Sequence, residues 1–241
     1  MDNYIDKHNQ TQLEYYQNEV DDYEKKGILQ KTTNRAFKRK ATIIAKTLGS
    51  QPKNSVLEVG AGSGLLTYFS YDLLNAKKYV AQDLSSSMVE KAKLRVQKPG
   101  LHFDVGDATK LQYADNSFDA LIGTDIIHHL LEPVDALKEW LRVTAPGGRI
   151  CILESNPYNP LHYVCIGDEH EVRYFLNTDH NLKKWMEAAG WKNVEILPAP
   201  SFTPAGPTIL VPLFHLIDII SPKIPGWRRL TALWIVTGEK K

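Results

Sequence analysis

The residues able to do chemistry fall in short stretches of this 241-residue sequence. Val56-Leu57-Glu58-Val59-Gly60-Ala61-Gly62-Ser63-Gly64 runs from an apolar segment into a glycine-rich turn that opens a helix. Without a Cβ, glycine lets a ligand approach the backbone closely, and the helix start beyond offers unsatisfied N–H donors. The glycines stand as G-x-G-x-G, whereas a dinucleotide fingerprint needs its third glycine where Leu65 stands. Asp83 ends the apolar run Tyr79–Gln82. A carboxylate at such a tip can accept hydrogen bonds from both hydroxyls of a ribose, with a helix cap as the plainer alternative. Thr124-Asp125-Ile126-Ile127-His128-His129 and Glu154 put two histidines and a carboxylate where a general base or an acceptor-orienting group could sit. The plainer reading is that His128, His129 and Glu154 pack and hydrogen-bond without moving a proton. His162, His170 and Glu171 are further candidates in a segment expected to cover an acceptor.

These residues need a frame. Residues 11–26 read as a helix rich in tyrosine and acid, and residues 33–48 as a second helix ended by Gly49 and Pro52. Strands are then expected at 55–59, 79–82, 101–105, 118–123 and 149–154, with helices at 65–74, 86–97 and 133–144 between them. Pro146-Gly147-Gly148 reads as a turn. A helix over 178–189, capped by Gly190, precedes two final strands at 193–197 and 231–237. Strands alternating with helices predict an α/β fold, a doubly wound and mostly parallel sheet with helices on both faces.

Composition narrows the class. Hydrophobic residues make up 43% and charged residues 24%, which excludes disordered and fibrous chains. A net charge of +1 provides no global field toward nucleic acid, so no nucleic-acid partner is expected. The two cysteines, Cys151 and Cys165, exclude a disulfide framework and show no metal-ligand spacing, so no metal is expected. The N-terminus lacks a signal-peptide pattern, and the most apolar segment, 208–220, is too short and interrupted to span a bilayer. A cytoplasmic protein is expected.

With Glu58, Gly60, Gly62 and Gly64 matching E-x-G-x-G-x-G in full, the sequence resembles the class I S-adenosylmethionine-dependent methyltransferases. Asn116-Ser117-Phe118-Asp119-Ala120-Leu121-Ile122-Gly123 is similar to the family's fourth strand, and Pro146–Leu153 to the turn into its fifth. Residues 55–154 match well, 178–197 loosely, and the ending 233–240 resembles an antiparallel last strand of seven. The resemblance implies S-adenosylmethionine as cofactor. It places Glu58, Gly60, Ala61, Gly62 and Gly64 at that ligand, Asp83 on its ribose, and Leu84 and Met88 near its adenine. Asp107 would accept from the adenine amino group, beside Ala108, with Thr124 also at the cofactor; a turn aspartate is the alternative for Asp107. The cofactor carries an activated methyl group, so aligning an acceptor and excluding water supply much of the rate. A base is needed only where the acceptor must lose a proton. Ser155-Asn156-Pro157-Tyr158 lacks the second proline of the nucleic-acid amino-methyltransferases and follows the wrong strand.

The expected organisation is an N-terminal helical cap (1–50), a cofactor-binding core (51–200), an apolar insertion (201–230) and a last core strand (231–241). The insertion is apolar but broken by five prolines. It reads as packing on its own domain, a lid over a greasy acceptor, a peripheral membrane element or a homodimer contact. Residues 25–46 carry Lys25, Lys26, Lys31, Arg35, Lys38, Arg39, Lys40 and Lys46 without an acid, a solvated face or a contact for an anionic lipid or phosphorylated acceptor. The leading expectation is methyl transfer to oxygen or carbon of a small or amphipathic, lipid-like acceptor. Non-catalytic cofactor binding, RNA methylation and nicotinamide oxidoreduction stand behind it.

Overall fold

The computed structural model describes residues 10, 27–49, 51, 53–159, 175–199, 220, 224 and 231–241. The tyrosine-rich stretch 11–26, His162, Cys165, His170, Glu171 and nearly all of 201–230 lie outside them.

The elements run α1 (Gly27–Leu48), β1 (Ser55–Val59), α2 (Leu65–Leu74), β2 (Lys78–Asp83), α3 (Ser86–Arg95), β3 (Leu101–Val105), β4 (Phe118–Thr124), a 3-10 turn (Ile127–His129), α4 (Pro133–Val143), β5 (Thr144–Ser155), α5 (Asp179–Ala189), β6 (Lys192–Ala199) and β7 (Leu233–Glu239). Apolar runs such as Val56, Leu57 and Val59, each fully buried, form central parallel strands because both faces of the sheet are covered. Helix ends follow local chemistry. Pro133 opens α4 with its φ already helical, Thr178 caps α5 by accepting from the Asn181 N–H, and Gly190 ends it at φ +103°.

The seven strands lie in the order β3-β2-β1-β4-β5-β7-β6, with β7 antiparallel to both neighbours. This is the expected doubly wound sheet with its antiparallel last strand. Two cores flank it. One gathers Leu57, Leu121, Leu137, Trp140, Met186 and Trp191 beneath α4 and α5. The other gathers Ala41, Ile44, Leu48, Leu66 and Ile122 beneath α1 and α2. The chain order reverses at β1, so the carboxyl ends of β1 and β4 flank a switch-point crevice, the usual ligand position in such sheets.

Two boundaries differ from the sequence reading by more than one or two residues, the start of α1 and the start of β5. The helix expected from residue 33 begins at Gly27. Glycine and the β-branched pair Thr32-Thr33 carry weak helix propensity, and docking of the later apolar face carries the first turns along. The Pro146-Gly147-Gly148 turn lies inside β5. The Gly147 N–H bonds to the Lys240 carbonyl, and the Lys240 N–H to the Gly148 carbonyl, so the last strand holds the irregularity in the sheet.

Candidate active site

The glycine turn follows from the end of β1. Gly60, Gly62 and Gly64 have φ of +67°, +52° and +78°, left-handed values that a side chain rarely adopts. Space restricts two of them further. A Cβ on Gly60 would stand 2.7 Å from Ile126 Cδ1, and one on Gly64 3.0 Å from Ala92 of α3. Gly62 has nothing within 4 Å, so the turn is open on that side to a ligand. The Ala61 N–H donates to the Gln82 carbonyl at 2.9 Å, tying the turn to the end of β2.

Asp83 completes this side. Its Oδ2 accepts from the Gly62 N–H at 2.7 Å and its Oδ1 from the Ser85 N–H at 2.9 Å. Burial pushes its carboxyl up, against bonds from Ser85, Gly62 and Leu84. The cap of α3 falls to Ser85, whose hydroxyl accepts from the Met88 N–H, so Asp83 is not the helix cap. Each oxygen keeps lone-pair capacity for a hydroxyl. Leu84 and Met88 are half-buried beside it. These features fit an adenosyl ligand: an open glycine turn with a carboxylate bonded to its middle.

Asp107 forms a local turn, its Oδ1 accepting from the backbone N–H and hydroxyl of Thr109 at 2.8 Å. The Ala108 carbonyl accepts from the Trp140 indole at 2.7 Å. Glu58 is fully buried, with Oε2 accepting from the Tyr79 hydroxyl at 2.6 Å and the Thr67 hydroxyl at 2.9 Å. Its Oε1 has no hydrogen-bond partner. Desolvation lifts its pKa to about 7 against those two bonds, with Asp83 adding to the rise. Glu58 therefore braces β1 against α2 and β2.

The other side is built at the tips of β4 and β5. Glu154 has no exposed surface. Its Oε1 accepts from the Ile126 and Ile127 N–H groups at 2.8 and 2.7 Å. Its Oε2 accepts from the Asn177 amide at 2.7 Å and lies 2.9 Å from His128 Nδ1. A carboxylate with four such neighbours and no surface holds the turn, the packing and hydrogen-bonding arrangement that was the plainer reading of Glu154. With its proton on Nδ1, the His128 ring donates to Glu154, and Nε2 is then the nitrogen left to accept. His128 is nearly buried, and its ring centre lies 4.1 Å from that of the half-buried His129.

Asp125, beside the histidines, joins this side to the N-terminal helix. It sits at φ +52°. Its Oδ1 accepts from the Ser155 hydroxyl at 2.7 Å, and its Oδ2 accepts from the Thr124 hydroxyl at 2.8 Å and from Lys40 of α1. Burial would raise its carboxyl, but the charges of Lys40 and then His128, with the Lys40 and Ser155 hydrogen bonds, hold it well below the usual carboxylate range. Sequence reasoning missed Lys40, Asp125 and Asn177 as parts of the site. Asp125 stands at a strand tip beside the two histidines, and Lys40 in a charged run, but no spacing rule links residues 85 apart. Asn177 carried no signal.

Residues 57–152 match the methyltransferase-domain family. Demethylmenaquinone methyltransferase of Renibacterium salmoninarum is 32% identical over 178 residues, 63% of this chain and 72% of that protein. The ubiquinone/menaquinone biosynthesis C-methyltransferase of Bdellovibrio bacteriovorus is 34% identical over 118 residues, 48% of this chain and 50% of that one. A SAM-dependent methyltransferase of Thermotoga maritima superposes with a TM-score of 0.66 at 19% identity, covering 95% of this chain and 99% of that one, a likeness of fold. With the seven-stranded sheet, these matches show that the chain belongs to the class I S-adenosylmethionine-dependent methyltransferases.

Proposed function

We propose that this methyltransferase methylates a ring carbon of a reduced, prenylated quinone-type acceptor, and that His128 is its general base. The observation that carries the chemistry is the Glu154–His128 pair, with Nδ1 2.9 Å from the buried carboxylate, an arrangement that supports a tautomer with its proton on Nδ1. The acceptor class is supported by similarity to demethylmenaquinone methyltransferases. When bound, the cofactor supplies a methyl group on a sulfonium, whose S–CH3 bond breaks as the acceptor's electron pair forms the new bond and sulfur keeps the departing pair. Gly60, Ala61, Gly62 and Gly64 would bring bare backbone to it, Asp83 would accept from its ribose, and Leu84 and Met88 would flank its adenine. Asp107 and Ala108 would meet the adenine edge, and Thr124 would border the methionine end. Glu58 acts through Thr67 and Tyr79 by fixing the strands beneath.

A ring carbon that gains a methyl must lose its proton to become aromatic again. His128 Nε2 takes that proton, while Nδ1–H stays on Glu154, which stabilises the imidazolium. A positioned base of this kind contributes roughly 10²–10⁴ in rate. The apolar insertion 201–230 would receive the prenyl chain, at the surface of a membrane or as a lid. No described helix is long and apolar enough to cross a membrane.

The test incubates the protein with methyl-labelled S-adenosylmethionine and chemically reduced demethylmenaquinone, then extracts with organic solvent. Label in the extract, located on the ring carbon by NMR, is the expected result. Label on oxygen would keep the acceptor class and overturn ring-carbon transfer. Label confined to polar acceptors supplied as lysate would overturn the acceptor class.

A further inference from the structure

We propose that the Lys40–Asp125 ion pair sets the proton affinity of His128, making Lys40 a positioning residue through which docking of α1 tunes the acceptor side. The inference rests on the reading of His128 as the base, and it carries that reading to a residue far away in sequence.

The pair is built in. The Lys40 side chain is 12% exposed and the Asp125 side chain 30%. Asp125 is fixed by its Ser155 and Thr124 hydroxyl bonds, and by its own N–H on the Leu153 carbonyl at 2.8 Å. Lys40 reaches it from α1, whose Ala41 and Ile44 are fully buried in the core. Lys40 is therefore anchored at its backbone as well as at its charge. Asp125 is three residues from His128, on the loop that Glu154 gathers.

Among the described residues, the charged and titratable groups at this turn are Glu154 from β5, 2.9 Å from His128 Nδ1, His129 with its ring centre 4.1 Å away, and Asp125 from the end of β4, paired with Lys40 of α1. Among the described residues, the segment before α5 brings the neutral amide of Asn177 to the cluster. Paired with Lys40, the Asp125 charge is offset at His128. Removing the cation leaves Asp125 acting alone and stabilises the imidazolium. Removing the anion leaves Lys40 acting alone and destabilises it. A contact that merely clamps α1 to the sheet makes no such distinction, because both losses loosen the same joint.

The experiment titrates the full chain, labelled at histidine Cε1, by NMR, with His128→Gln assigning the resonance. Lys40→Met and Lys40→Gln are both made, so that one misfolded variant does not decide the outcome. Each should move the His128 midpoint to higher pH by roughly half a pH unit or more, Asp125→Asn should move it lower, and Lys40→Arg should restore the parent value. Shifts of the same sign, or no shift in variants that keep the parent circular dichroism, overturn the proposal. The pH–rate profile of methyl transfer separates the two readings. Opposite shifts that the rate profile does not follow leave the ion pair its role and remove His128 as the base.

Discussion

Around the glycine turn, polar contacts join its backbone to the end of β2, Gly62 to Asp83 21 residues away and Ala61 to Gln82, and Ser63 to Arg95 of α3. At the tips of β4 and β5 they join side chains from α1, β4, β5 and the segment before α5, with Lys40 and Asp125 85 residues apart. The first side depends on absent atoms: missing Cβ groups that leave room for a ligand. The second depends on present ones, since each partner of Glu154 or Asp125 satisfies a group withdrawn from water. The first side does not accommodate a Cβ at Gly60 or Gly64. The second tolerates little loss from its network. They touch where Ile126 packs on Gly60.

Breaking the side-chain network should have the largest effect. Glu154→Ala leaves two backbone N–H groups, the His128 ring and the Asn177 amide without their buried acceptor. Urea denaturation should show a loss of about 3–5 kcal/mol; a loss below about 1 kcal/mol would mean that the turn is held otherwise. Glu58 tests the buried base of the glycine side by pH. Its folded pKa of about 7 stands above its ordinary 4.5, so its contribution is full below pH 4.5 and is lost as pH rises through 7. Relative to Glu58→Gln, the parent should lose about 3 kcal/mol across that window, read from thermal melts. Asp83→Ala should weaken S-adenosylmethionine binding roughly 10–100-fold by calorimetry while leaving His128 in place. At the small end, Lys93→Ala removes an exposed pair with Glu90, and stability should change by no more than about 0.5 kcal/mol.

The same contrast explains what the sequence made readable. Glu58 to Gly64 is contiguous, its geometry demands glycine, and its partner Asp83 stands at the end of the next strand. Apolar runs placed β1, β2 and β4, and the strand–helix alternation with its turn signals placed the others within a residue or two, except for the start of β5. His128 and Glu154 were legible as chemistry-bearing residues but not as donor and holder, because burial and pairing decide that division. Lys40 looked like one charge on a basic face, and only the docking of Ala41 and Ile44 sets it against Asp125. Asn177 has no motif, and its role comes from where the chain enters α5.

The most direct test of the division between the two sides is His128→Gln, measured for S-adenosylmethionine affinity and for single-turnover methyl transfer to reduced demethylmenaquinone. Affinity within about twofold of the parent, with a rate lower by roughly 10²–10⁴, is the predicted result. An unchanged rate, or a loss of affinity that matches the loss of rate, would contradict it.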